Sequence, residues 1–415
     1  MSTRAHTGDH HAAGALVRAN HRPWFARLVA PMLMALAVVG AACSTSAAGN
    51  AGNGSIASTP ANRAFTDAGP YATGTRRVTL ADGDQAQLWY PVDRSAVVGR
   101  ATYSITPASW IPPSEADEPA LAPLDVTVPT GAYLDAPIAT GPSSDPAGYP
   151  VVVFASSSGG TPDESSFLTG HLATWGMVVV APDLRTNDLQ SELVPPTPVA
   201  TAPSAASTLS ASTMELDTAL AYLQASESDR TSTFHNRLDL HRVGVVGFGS
   251  GGGAAVTMAS LNPSVRTYVA LAPTAANTAT ITKPGLVMYG SNDLVNLPAT
   301  VQQLWAGLAT PKRLIVIADA GYNVFDDYCQ VIVGGQRLGS ELSTDSGNQQ
   351  LRSLGTKDLD GCASPDLSPL AARPLIQHAV TAQLRYGLGI DATPVGLDAG
   401  LDHAYLGVSV SYYEK

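Results

Sequence analysis

The sequence has little charge, few aromatic residues and almost no cysteine. Of its 415 residues, 14% are charged and 6% are aromatic, and acidic residues outnumber basic ones by 34 to 23. The net charge of −11 leaves no overall basic surface for binding phosphates, so we expect no nucleic-acid partner. The hydrophobic fraction of 45% is high enough to supply a buried core, which excludes a largely disordered chain.

Long apolar runs are also scarce, and the one from Leu28 to Ala42 follows an arginine-containing segment. This run is too short for a comfortable membrane span and ends in small residues, which is typical of a secretory signal. We therefore predict that residues 1–42 are a signal peptide and that the protein is exported.

The first of three cysteines, Cys43, comes directly after this run. The sequence VVGAAC resembles a bacterial lipobox, although Gly40 stands where Leu, Val or Ile is typical. The resemblance implies that Cys43 is lipidated and that this lipid anchor holds the protein on the outer face of the cell membrane. Ordinary cleavage near Ala42, giving a secreted protein, is the alternative. Residues 43–65 are small and polar and are predicted to form a flexible tether.

From Pro150 onward, short apolar runs alternate with helical patterns, which indicates parallel strands joined by crossover helices. We predict an α/β fold with a mostly parallel central sheet flanked by helices. Strands are expected at 151–155, 177–183, 243–247, 265–271, 286–289 and 314–317, helices at 164–174, 213–224, 300–308 and 369–388, and an antiparallel pair at 76–80 and 86–90. The sequence contains no obvious linker to a second domain. We therefore expect one domain over residues 66–390, followed by a C-terminal extension over 391–415.

Four segments, in this order, carry a resemblance to a known superfamily: VVVFASSSGG from Val151, VGVVGFGSGGGAA from Val243, KPGLVMYGSNDL from Lys283 and RLIVIADAGYNVF from Arg313. They resemble the α/β-hydrolase superfamily, and within it polyester hydrolases, dienelactone hydrolase-like proteins and platelet-activating-factor acetylhydrolase-like proteins. The resemblance implies the α/β-hydrolase fold and the site of a serine carboxylic ester hydrolase, with a nucleophile elbow, an acid and a histidine.

Two of the three catalytic positions depart from that pattern. A gapless match to the Gly-x-Ser-x-Gly elbow places Gly249 at the nucleophile position, and glycine has no side chain to attack a carbonyl. Tyr322 stands where the histidine belongs, and a tyrosine with a pKa of ~10 is a poor base at neutral pH. The acid position is kept as Asp293. These departures predict a catalytically degenerate ester hydrolase, a pseudoenzyme.

An active enzyme is the alternative, with Ser250 as nucleophile, Asp293 as acid and an unidentified base. It would place the bulky Phe248 two residues before the nucleophile, where the turn favours a small residue. In either case the backbone amides of Ser158 and Ser250 are predicted to form an oxyanion-type site, so an ester or lipid-like small molecule is the expected ligand.

No cofactor is predicted, and no metal, because no His, Cys and Asp cluster has metal-ligand spacing. In some of the resembling proteins a cysteine pair follows the histidine region. That resemblance implies a disulfide between Cys329 and Cys362, and two buried free thiols are the alternative. On the chain-entropy description such a bridge would stabilise an exported protein by about 3–4 kcal/mol.

Overall fold

A computed structural model of the chain describes residues 60–106, 127–141, 148–185, 205–276, 278, 281–332 and 359–415. The predicted signal peptide, Cys43 and most of the predicted tether lie outside these residues. Within the described ranges, no helix is both long enough and apolar enough to cross a bilayer.

The described strands form one sheet of eleven, in the order β11-β10-β9-β8-β7-β5-β6-β2-β1-β4-β3. Neighbouring strands from β6 through β5, β7, β8 and β9 to β10 run parallel. Strand β2 is antiparallel to both β1 and β6, and β11 is antiparallel to β10. The strands are β1 (Ala72–Thr79), β2 (Gln85–Val92), β3 (Thr102–Ile105), β4 (Val128–Leu134), β5 (Tyr149–Ala155), β6 (Val178–Pro182), β7 (Leu238–Phe248), β8 (Val265–Leu271), β9 (Gly285–Gly290), β10 (Lys312–Ile317) and β11 (Val410–Glu414).

Helices cover both faces of this sheet. They are α1 (Ser166–Thr174), α2 (Ala205–Ser228), α3 (Ser250–Leu261), α4 (Pro298–Gly307), α5 (Tyr328–Ile332) and α6 (Pro369–Gly387). Helices α1 and α6 contribute to one buried apolar cluster, and α2, α3 and α4 contribute to the other. Successive side chains of a strand point to opposite faces, so Val152 and Phe154 of β5 join the first cluster while Val151 and Val153 join the second. A strand buried on both faces needs apolar residues at every position, which explains the run VVVFA.

The structure confirms the α/β fold and corrects the predicted ends of the domain. Residues 61–63 form a 3-10 turn and Phe65 is buried against Trp175, so the last part of the predicted tether belongs to the folded domain. At the other end, β11 pairs with β10 within residues 391–415, so this segment completes the sheet. Short strands such as VSYYE at a sheet edge bury few side chains and leave a weak pattern in the sequence.

Candidate functional site

The site is organised by the turn that joins β7 to α3. Strand β7 ends at Phe248 and α3 begins at Ser250, so Gly249 alone forms the tip of the turn. Its φ of 58° and ψ of −121° lie where glycine is free to go and other residues are strained. Ser250 lies one step further on, in the first turn of the helix.

Glycines on either side let this turn pack closely against the sheet. A Cβ atom on Gly247 would lie 2.0 Å from the carbonyl oxygen of Gly251, and one on Gly251 would lie 2.2 Å from the carbonyl oxygen of Ala155. Both distances are shorter than real Cβ contacts. The small residues two positions before and after Gly249 therefore permit the sharp elbow that the sequence pattern indicates.

The Tyr322 side chain fills the space above Gly249. A Cβ atom built on Gly249 would lie 2.0 Å from the Tyr322 hydroxyl oxygen. The Tyr322 ring is buried and packs on Phe248, with a centroid distance of 4.4 Å. The structure thus brings the two departing positions of the sequence pattern into direct contact, and the tyrosine hydroxyl occupies the place where a side chain on residue 249 would begin.

A buried hydrogen-bond chain holds the Tyr322 hydroxyl. The Ser157 hydroxyl donates to Glu164 Oε2 at 2.8 Å, and the Ser157 backbone amide donates to Glu164 Oε1 at 2.6 Å. The Tyr322 hydroxyl also hydrogen-bonds Ser157, which links the tyrosine to Glu164. Burial and the nearby Glu164 charge raise the pKa of Tyr322, so this hydroxyl keeps its proton at neutral pH.

Glu164 occupies part of the loop that was predicted to cradle an oxyanion. Its carboxylate accepts from the amide of Ser157, next to Ser158, and a Cβ on Gly160 would lie 2.0 Å from Glu164 Oε2. The loop therefore wraps around an internal anion. The oxyanion-type role of the Ser158 and Ser250 amides stays a prediction.

Asp293 follows β9 in the turn predicted to carry the acid, and it is 1% exposed. Its Oδ1 atom accepts hydrogen bonds from the amides of Val295 and Asn296, at 2.9 and 2.7 Å. Its Oδ2 atom is buried without a hydrogen-bond partner. Burial raises the pKa of Asp293 to about 7 against the lowering effect of the two amides, and nearby Asp360 adds to the rise. The predicted acid position therefore holds a buried aspartate, one of whose oxygens has no hydrogen-bond partner.

Asp360 is a further acid at the site, one that the sequence reasoning missed. Its Oδ2 atom accepts from the amides of Tyr322 and Leu294, at 2.8 and 3.1 Å, so it ties the two turns together. Burial raises its pKa. Asp360 lies two residues before Cys362, which forms the predicted disulfide with Cys329. The disulfide interpretation is therefore confirmed, and the free-thiol alternative is wrong.

Two buried histidines are engaged away from the elbow. His171 bonds the Phe65 carbonyl through Nε2, and His378 accepts from the Phe65 amide through Nδ1. Burial lowers the pKa of both to about 4. Phe65 packs on Trp175 and lies under the Arg385 guanidinium. Both of these residues are near the amino ends of the parallel strands, whereas the elbow follows the carboxyl end of β7. His235 bonds the Glu227 carbonyl.

Glu164 and Asp360 could not be identified from motifs, because neither belongs to a segment that carries the resemblance. The one signal for Glu164 was its place just before α1, after the Ser- and Gly-rich loop. The signal for Asp360 was Cys362, two residues further along the chain. Among the residues that the structure describes, no cluster of three His, Cys, Asp or Glu could hold a metal ion.

Comparison with known proteins gives a match over the segment that contains the elbow. The family described as PET hydrolase-like (PETase) matches residues 200–326, which include β7, Gly249, Asp293 and Tyr322. No curated protein matches the chain. Over residues 200–326 the chain is therefore similar to PET hydrolase-like proteins, and its mostly parallel sheet flanked by helices agrees with the expected resemblance to the α/β-hydrolase superfamily.

Proposed function

We propose that this protein is a catalytically degenerate serine ester hydrolase that keeps the fold and binds an ester or lipid-like ligand. The observation that carries the proposal is the contact between Tyr322 and Gly249. The tyrosine hydroxyl lies 2.0 Å from where a Cβ of residue 249 would be, so the position has neither a nucleophile nor room for one. Acyl transfer through an activated nucleophile at residue 249 cannot begin there.

The electrostatics of the site support the same proposal. Ester hydrolysis develops negative charge on the carbonyl oxygen, and hydrolases stabilise it with hydrogen-bond donors. Here Glu164 already uses the Ser157 donors, and burial, followed by the charges of Glu164, Asp326 and Asp293, raises the pKa of the Tyr322 hydroxyl. A site that disfavours a phenolate also disfavours a developing oxyanion at the same place.

An apolar rim next to the acid turn favours an ester or lipid-like ligand. Leu294 and Leu297 follow Asp293 and are 76% and 54% exposed. Neighbouring exposed leucines beside a site are suited to contact with the apolar part of a ligand. In this proposal the amides of Ser158 and Ser250 hold the carbonyl group while catalysis is absent.

Export and lipid anchoring at Cys43 complete the proposal, and they rest on the signal-like run and the VVGAAC sequence. Mass spectrometry of the mature N-terminus tests them. We expect a lipid-modified Cys43 as the first residue, and Cys43→Ala should release the protein from the membrane fraction. An unmodified N-terminus near Ala42 would instead support a secreted protein.

The catalytic part is tested with a fluorophosphonate probe and p-nitrophenyl butyrate on the purified mature protein. We expect no labelling and no hydrolysis above that of the Ser250→Ala variant. The double variant Gly249→Ser/Tyr322→His removes the tyrosine hydroxyl and supplies both missing groups beside Asp293, so it should gain labelling at residue 249. Gly249→Ala/Tyr322→His is the matched control and should remain unlabelled.

The alternative is an active ester hydrolase that uses Ser250. It has a specific expectation: labelling of the unmodified protein at Ser250, with hydrolysis abolished by Ser250→Ala. Either result would overturn the degenerate interpretation. The placement of Ser250 inside the first turn of α3, rather than at the elbow tip, favours the degenerate protein.

A further inference from the structure

A cavity of about 420 Å³ opens at the opposite end of the sheet from the elbow. Tyr149 and Pro150 at the start of β5 line it, with Gly176 just before β6 and Tyr71 just before β1. The last turn of α6 closes it through Arg385. Its volume lies in the range of about 300–1,000 Å³ that is typical of small-molecule sites.

Aromatic side chains form one part of the wall. Tyr71 and Trp175 are partly exposed there, and Tyr71 meets the buried Tyr149 edge to face at a centroid distance of 5.8 Å. Gly176 has no side chain to narrow the cavity beside Tyr71, where a Cβ atom would lie 3.4 Å from the Tyr71 ring. Such rings offer apolar faces to a ligand and carry a polar group at one end.

Two arginines form the polar part, and each is already paired with a carboxylate. Arg385 binds Asp391 through Nε and an Nη atom, at 2.7 and 2.8 Å. Arg242 lies 3.1 Å from Asp239. Pairing fixes the guanidinium planes and cancels their charge, while the five N–H groups of an arginine exceed the two that a bidentate pair uses.

This combination favours a neutral ligand that has both apolar faces and hydroxyl groups. A free anion would have to compete with Asp239 and Asp391 for the guanidinium groups. A pure hydrocarbon would leave charged groups buried without water, which is costly. A neutral pyranose sugar has apolar C–H faces for the rings and hydroxyl groups for the paired charges. We propose that this cavity is a binding site for a neutral hexopyranose, separate from the hydrolase-like site.

The proposal is tested by saturation-transfer difference NMR on the mature protein. The probes are methyl β-glucopyranoside, methyl α-mannopyranoside, methyl β-galactopyranoside and maltose, each at millimolar concentration, with benzoate as an aromatic anion. We expect transfer to at least one sugar and none to benzoate. Transfer to none of the sugars, or to benzoate alone, would overturn the proposal.

Variants then locate the binding. Tyr71→Ala should weaken the binding of the sugar by about tenfold, whereas Tyr71→Phe keeps the ring and should retain most of the affinity. Ile390→Trp fills the cavity from its other wall, so it tests the site even if Tyr71→Ala fails to fold. Tyr413→Ala, at an exposed tyrosine on β11, is the control and should bind normally. Sugar binding that survives both Tyr71→Ala and Ile390→Trp would show that the cavity is not the site. None of these outcomes depends on whether the protein hydrolyses esters.

Discussion

The two ends of the parallel strands differ in how they treat buried polar groups. At the carboxyl end, Glu164, Asp293 and Asp360 accept hydrogen bonds from backbone amides, and Glu164 also accepts one from a hydroxyl, but Asp293 Oδ2 has no partner. At the amino end, Asp391 and Asp239 face arginines around an open cavity. In the first arrangement, a tyrosine side chain fills the space above the elbow. The second has balanced charges and room for a ligand.

At the carboxyl end, the backbone has the form of a nucleophile elbow while the side chains at 249 and 322 depart from the hydrolase pattern. Gly249 still adopts the elbow conformation and Asp293 still sits in its turn, because both follow from the strand ends and close helix packing. If the contrast is real, substitutions at the two ends should have different consequences.

The largest expected effect is on stability, from Gly249→Ser. The new side chain would clash with the Tyr322 hydroxyl and strain a backbone at φ 58°, so we expect the free energy of unfolding to fall by roughly 2–5 kcal/mol. Gly99→Ser is the matched control, since Gly99 has φ 74° and nothing lies within 4 Å of its Cβ position, and it should cost about 1–2 kcal/mol. Urea unfolding measures both. Adding Tyr322→Phe should restore part of the loss, and equal losses for the two serines would refute the proposed clash.

The next effect is on the pH dependence of stability, through Asp293. Its pKa is raised from 3.8 to about 7 in the folded state, so folding takes up a proton between these values. Stability from this group is therefore highest below pH 4 and is lost as the pH rises to about 7, by up to about 4 kcal/mol. Asp293→Asn should flatten the stability profile between pH 5 and 8, measured by urea unfolding across that range. An unchanged slope would mean that Asp293 is already ionised.

The smallest effect is expected at the amino end, from Asp391→Asn. Breaking this partly exposed ion pair should lower the free energy of unfolding by about 1 kcal/mol. The released Arg385 charge should also allow benzoate to bind in the cavity, which NMR can detect. If stability falls without any gain of benzoate binding, then charge balance is not what excludes anions there.

The sequence allowed the buried strands to be located well, because VVVFA and VRTYVAL contain little besides apolar and β-branched residues. The same reasoning missed β3, β4 and β11. Strand β4 reads VPTGAYL, with a proline and a glycine that usually mark turns, and it is stabilised by its neighbours β1 and β3. Such strands depend on tertiary pairing, which local patterns do not encode.

At the candidate site, the resemblance to α/β-hydrolases indicated Gly249, Asp293 and Tyr322, because the segments that carry it occur in the same order along this chain. The contacts that these residues make in the folded protein could not be predicted from the sequence. Glu164 reaches Tyr322 through Ser157, and Asp360 reaches it from a loop 38 residues further on. Only the folded chain shows that the tyrosine fills the elbow rather than facing solvent.

The disulfide between Cys329 and Cys362 has a practical consequence. It holds two points that are 33 residues apart in sequence with their Cα atoms 5.2 Å from each other, and Asp360 lies beside one of them. Changes in the length of the chain between the cysteines therefore need not move the carboxylate that bonds the Tyr322 amide. Closely spaced, covalently fixed ends are what a guest domain requires. An insertion between these cysteines would thus begin and end at two fixed points of the fold.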